Sequence, residues 1–182
     1  MRQSINSKWI ALIVVAVFLL FWLIGWYWSF APATYDVNKR VAQQTSVANP
    51  ANIAGYTLTS TMIEVSETLL DKPGGYLSND VIPPGVFLDN MPSFEFGVLE
   101  MIRDLALSMR KDFSRSQSQS IENPYLTKAH PKFNMDHRSW MFPSSESSYR
   151  DGITLLKQSR DALADPQNGD SQFYTRADNL RE

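Results

Sequence analysis

The sequence predicts a mainly α protein: one N-terminal transmembrane helix followed by an α-helical exported domain with two long ordered loops. Three observations predict it. Residues Trp9 to Phe30 (WIALIVVAVFLLFWLIGWYWSF) contain no Asp, Glu, Lys, Arg, His, Asn or Gln. Beyond them, apolar residues recur at helical spacing in separate stretches. Between those stretches lie two long segments too rich in Pro and Gly for regular helix, yet too apolar to be free linkers.

As a helix, the first stretch would rise roughly 33 Å at about 1.5 Å per residue, slightly more than the roughly 30 Å hydrocarbon core of a bilayer. A single segment satisfies its backbone in lipid only as a helix. Trp9 stands at one end and Trp26, Tyr27 and Trp28 at the other, with Trp22 one turn further in. These aromatic rings are the expected contacts with lipid and headgroups. Arg2 and Lys8 precede the run without an acid, which places the N-terminus in the cytoplasm and the chain after about Pro32 outside. Lys39 and Arg40 pull weakly the other way. Ala31-Pro32-Ala33 resembles a signal-peptide cleavage site. The apolar run exceeds the usual core of about 7–15 residues and is dense in Trp and Phe, which favours a retained anchor. A buried core helix is the third reading, but one apolar on all faces needs a large domain around it. The expected organisation is a cytoplasmic N-terminus over 1–8, a transmembrane helix over 9–30, a tether over 31–56 and an exported helical domain over 57–182.

Two of the 17 basic residues and none of the 19 acidic ones precede residue 31, so fifteen bases face nineteen acids and the exported part carries −4. This balance argues against a nucleic-acid partner, which needs a concentrated basic face. It also argues against strong binding to anionic headgroups beyond the anchor. The chain has no Cys, so disulfides and zinc–thiolate sites are excluded.

Ala31 to Ala54 is small and polar, a tether or loosely packed lead-in with room for a short helix over Asn38 to Thr45. Thr57 to Asp71 is the first helix of the domain, with Leu58, Met62, Val65 and Leu69 on one face and Ile63 and Leu70 widening it. Lys72-Pro73-Gly74-Gly75 stops it, because Pro cannot continue the ladder and Gly takes the left-handed turn. The first long loop, Gly74 to Asn90, follows. Pro92 to Phe113 is the second helix, burying Ile102, Leu105, Ala106, Met109 and Phe113. Glu95 and Glu100 lie toward its positive end. Ser114 to Ser120 is a polar break. The second long loop, Ile121 to Glu146, is irregular with three prolines; Tyr125, Phe133, Trp140, Met141 and Phe142 are expected to wrap it onto the helices. Ser148 with Asp151 makes a capping-box signature for a third helix that runs to Pro166, with Tyr149, Ile153, Leu156 and Leu163 inward. Phe173, Ala177 and Leu180 start a fourth helix that stops at Glu182 without a cap, the pattern of a truncated product.

Chemistry-bearing residues are few. His130 and His137 stand seven apart in a proline-broken loop, which gives no shared face for a metal. No cofactor is expected, since no phosphate-cradling loop or nucleophile elbow is present. Asp80, Asp89, Glu95 and Glu100 gather around the first loop. Two of them could run glycoside hydrolysis with one acid protonated and one ionised, so Asp80, Asp89 and Glu95 are the catalytic candidates of that alternative. Local structure accounts for them equally: Asp89 and Asn90 as caps, Asp80 in an Asx turn after Asn79, and the glutamates on the helix dipole. An ordered apolar loop with aromatics reads instead as a docking surface, with Tyr76, Asn79, Asp80, Phe87, Asp89 and Asn90 as candidate binding residues.

The stretches DKPGGYLSNDVIPPGVFLDNMPSFEFGVLEMIRDLALSMRKDFSRSQSQS and ENPYLTKAHPKFNMDHRSWMFPSSESSYRDGI resemble the bacterial family of unknown function DUF2333. The resemblance implies a single-pass envelope protein of Gram-negative bacteria, which would make the membrane the inner membrane and the domain over 57–182 periplasmic. It also implies a longer protein, with helical sequence beyond the equivalent of TRADNLRE. It brings no activity and no catalytic residues. The expected function, argued from the ordered apolar loop and from carboxylates that local structure explains, is a non-catalytic interaction or scaffolding role in the envelope. The partners are the bilayer, through residues 9–30, and an envelope protein of unknown identity. The alternative is a peptidoglycan hydrolase using carboxylates near residues 74–95.

Overall fold

The computed structural model describes residues 7–45, 47, 49–115, 122–168 and 171–175, and among these it is mainly helical with no strand. Six α-helices follow in order: α1 Ser7–Trp28, α2 Val37–Gln44, α3 Tyr56–Asp71, α4 Asn90–Ser108, α5 Pro124–Phe133 and α6 Ser145–Leu163. The Arg2 flank, residues 116–120 of the polar break, and Ala177 and Leu180 lie outside the described residues.

α1 is long and apolar enough to cross a membrane. Trp9, Phe18, Trp22, Trp26 and Tyr27 are exposed, and Gly25 is its buried residue. After it the chain does not dangle. α2 is capped by Asp36, whose carboxylate accepts from Lys39 N at 3.0 Å, and it buries Val41. Arg40 Nε reaches Glu64 Oε1 on α3 at 2.7 Å, and Thr45 Oγ1 lies 2.7 Å from Tyr56 Oη. The lead-in is held against the domain at both ends.

The core is made where α5 and α6 pack together and α3 packs on both α6 and α4. Leu99, Ile102, Ala106 and Met109 face Met62, Ile63, Leu69 and Leu70, with Leu126, Ala129, Phe133, Tyr149, Ile153 and Leu156 closing the other side. The face of α3 is rotated from the expected stripe: Leu58 and Val65 are half-buried, while Thr59 and Ser66 are buried. Small hydroxyl side chains let helices approach closely. Thr59 Oγ1 and Ser66 Oγ donate to the carbonyls of Gly55 and Met62, each at 2.8 Å, so their burial leaves no donor unmet.

Several boundaries differ from expectation. The second helix begins at Asn90, and its last turn, Met109–Phe113, widens into a π-turn closed by Ser114 N on Met109 O at 3.0 Å. The second long loop is not irregular throughout, for it contains α5. Pro124 occupies the first turn, where a missing N–H costs nothing, and Asn123 Oδ1 accepts from Tyr125 N and Leu126 N. Pro131 lies inside the helix, which ends two residues later at Phe133. Of the apolar side chains expected to wrap inward, Phe133 is buried, but Trp140, Met141 and Phe142 face solvent. The third helix starts one turn earlier than expected, because Ser144, not Ser148, is its cap and accepts from Ser147 N at 3.2 Å. Ser148 Oγ instead donates to Lys132 O at 2.9 Å, and Asp151 pairs with Lys132 Nζ at 2.7 Å.

The helix expected from Phe173 does not begin there, since 171–175 is non-helical. The Phe173 ring stacks on Phe113 with centroids 5.0 Å apart, and Tyr174 N donates to Phe113 O at 2.7 Å. These contacts draw the segment onto the end of α4 and direct its backbone donor away from a helical ladder.

Candidate functional site

The first loop is built on the stop signal of α3. Gly74 and Gly75 both take positive φ, +89° and +73°, and Gly75 N returns to Lys72 O at 2.8 Å. Glycine is required at 74 for a second reason: an added Cβ would lie 2.7 Å from the Trp28 ring. The end of α1 thus seats directly on this turn.

The turn directs Lys72 inward. Its side chain is 1% exposed and its ammonium donates to Leu69 O at 3.0 Å, to Gly75 O and to Glu95 Oε1. Glu95 is 0% exposed. Beyond the lysine it accepts from Leu77 N at 2.8 and 3.1 Å, Ser78 N at 2.7 Å and Ser78 Oγ at 2.6 Å. Two buried charges are tolerable only with such saturation, because taking each ion out of water costs several kcal/mol (roughly, after relaxation) that a bare pair does not recover. Burial pushes the Lys72 pKa down against the opposing pull of Glu95.

Glu95, expected only to lie toward the positive end of the helix dipole or to serve the hydrolase alternative, is buried in an ion pair. It ties the backbone of the first loop to α4. Tyr76, expected to be an exposed aromatic, is buried at 4%, with its ring edge-on to Tyr149 at 5.6 Å. Its hydroxyl has no hydrogen-bond partner among the described residues. Asn79 is buried as well, and its amide donates to Ser139 O at 2.9 Å and Glu146 Oε2 at 2.8 Å, joining the two long loops. Phe87, Asp89 and Asn90 are exposed. Asp89 precedes α4 but makes no side-chain cap, and Asn90 Nδ2 donates to Ser29 O at 3.3 Å.

The carboxylates brought together are Asp80, Glu95 and Glu146. Burial first, then the charges of Glu95 and Glu146, raise the Asp80 pKa above its ordinary value, while Lys72 lowers it. A carboxyl whose folded pKa is raised contributes stability below its ordinary pKa and loses it as pH rises through the folded value. Asp80→Asn is accordingly expected to raise the melting temperature at neutral pH and to flatten the fall in stability as pH climbs from the ordinary carboxylate range. Melting curves across that range check both effects.

A cleft of about 350 Å³ opens beside this cluster, lined by Ser78, Pro92, Ser93, Phe96, His137 and Arg138. The His137 and Phe96 rings are 4.8 Å apart. His130 stands apart, near Asn134 at 3.1 Å. Among the described residues no group of three His, Asp or Glu side chains is placed to hold a metal ion. Sequence reasoning missed Lys72 and Glu146 entirely. It had a signal for Glu95, which lies four residues before Leu99 and seven before Ile102, on the buried stripe itself.

Residues 2–182 match the protein family described as "Uncharacterized protein conserved in bacteria (DUF2333)". No curated protein and no solved structure matches the chain. The chain belongs to the DUF2333 family.

Proposed function

We propose that this DUF2333 member is a single-pass inner-membrane protein, N-terminus in the cytoplasm, whose helical domain lies in the periplasm and acts by interaction rather than catalysis. The observation that carries the reading is α1: a charge-free apolar helix from Trp9 onward, exposed on nearly all its faces, beside a domain with its own complete core. The basic flank of Arg2 and Lys8 supports the orientation. The non-catalytic part is supported by the use of Glu95, whose oxygens are occupied by Lys72 and the loop backbone. For an envelope protein partner, the exposed residues of the first loop, Asp89 and Asn90 among them, are available, whereas Tyr76 and Asn79 are committed to the interior.

A reporter active only in the periplasm, fused after Glu182, is expected to be active, and a cytoplasm-only reporter silent. The reverse pattern would overturn the topology, and release of the fusion into the soluble periplasm would favour a cleaved signal peptide. Purified protein is expected to release no fragments from peptidoglycan. Fragments released by the wild type but not by a folded Asp80→Asn or Asp89→Asn variant would establish the hydrolase instead.

A further inference from the structure

The first loop carries an apolar tip, Val81-Ile82-Pro83-Pro84-Gly85-Val86-Phe87-Leu88, without a charged residue. Val81 is 53% exposed, Ile82 68%, Val86 48% and Phe87 78%. Apolar residues so exposed and so close together in a domain with a finished core call for a covering phase. We propose that this tip is a second membrane-embedded element, a wedge that enters the acyl region of the leaflet beside the C-terminal end of α1. The inference rests on reading α1 as a membrane span.

Position is the first argument. A Cβ added at Gly25 would lie 3.5 Å from Pro84 Cβ and 3.7 Å from Leu88 Cδ2. Gly25 stands five residues short of the end of the apolar run, about 7 Å along a helix axis. A segment touching α1 at that level lies below the point where the span leaves lipid. The groove between helix and tip reaches further, down α1 to Trp22 and Phe18. The tip is also fixed there, since Trp28 covers Gly74 on one flank and Asn90 holds Ser29 on the other.

The backbone supplies the second argument, because unpaired polar groups are expensive in lipid. Pro83 and Pro84 have no N–H. Val86 N donates to Ile82 O at 3.2 Å, Phe87 N to Pro84 O at 3.0 Å and Leu88 N to Gly85 O at 2.9 Å. Most of the tip therefore carries no free donor into the leaflet. Asp89 is exposed and marks where the chain returns to water after the tip, while Asp80, half-buried, turns its carboxylate back against Gly85. A protein partner would also cover apolar residues, but it would not explain a tip placed alongside the span at this depth.

The chain has no Cys, so single cysteines can be introduced into the full-length protein and spin-labelled. Leu19→Cys reports on α1, Ile82→Cys and Phe87→Cys on the tip, and Gln158→Cys on the exposed face of α6. In vesicles of phosphatidylethanolamine and phosphatidylglycerol, relaxation by oxygen marks lipid and relaxation by a water-soluble nickel chelate marks water. The tip labels are expected to follow Leu19, with nickel accessibility several-fold below Gln158. Nickel access at both tip sites with Leu19 embedded would overturn the wedge and leave the anchor standing. Nickel access at Leu19 would overturn both. Tip labels shielded from both reagents, or dipolar coupling between two copies, would place protein there and overturn the wedge. Each substitution replaces an exposed side chain, and two tip sites ensure that one misfolded variant does not decide the outcome.

Discussion

Lys72→Met is expected to destabilise the domain by about 3–5 kcal/mol, the range for removing one partner of a buried ion pair. The Glu95 charge would remain with no exposure and no cation, held only by the donors of Leu77 and Ser78. Glu95→Gln should cost a similar amount by orphaning the ammonium, whose other partners are two carbonyls. The double variant Lys72→Met/Glu95→Gln should lose less than the sum of the two, because each single loss is dominated by the charge left on the other partner and the double variant leaves neither. Urea unfolding of the detergent-solubilised chain, followed by circular dichroism, measures all three. A Lys72→Met loss no larger than an exposed ion pair gives, under about 1 kcal/mol, would show that the pair is hydrated and that Glu95 is free for other work.

Leu99→Ala and Ile102→Ala should each cost about 2–5 kcal/mol, the transfer loss plus the cavity left behind. Both face the centre of the α3–α4–α6 core, at 0% and 3% exposure. Leu105→Ala should cost less, since that side chain is only half-buried against the cluster. Met101→Ala, on the opposite face and 70% exposed, should stay within about 0.5 kcal/mol. The same unfolding curves test the ranking. Equal losses at Met101 and Ile102 would contradict the placement of α4.

Hydrophobic period was enough to find α1, α3, α4 and α6, because each carries an apolar face long enough to repeat. It failed where the buried face was not apolar. Thr59 and Ser66 are interior positions on α3 that look like surface, and Glu95 is an interior position on α4 that looks like a dipole residue. Yet Glu95 falls in register with Leu99, Ile102 and Ala106, and a charge in register with a core stripe points to a buried partner. What sequence could not supply was the identity of that partner, since Lys72 lies 23 residues away across a turn. α5 was hidden for a different reason. Its two prolines read as breakers, although Pro124 sits at the first turn, where a helix tolerates it, and only Pro131 lies inside the helix. At the loop, aromatic character alone could not separate Tyr76, which packs on Tyr149, from Phe87, which faces outward.

The seating of Trp28 on Gly74, together with the docked α2, governs reach. A free tether of 26 residues, fully extended, could place its domain up to about 90 Å from the end of α1. Here the turn after α3 rests on the end of α1, and the lead-in doubles back along the domain instead of extending. The domain's working radius is then set by its own size, of the order of its longest helices, about 28 Å for 19 residues. It behaves as a short, stiff post rather than a tetherball. With α1 read as a membrane span, whatever engages the domain comes down to the membrane surface, from a bearing fixed by the rotation of α1.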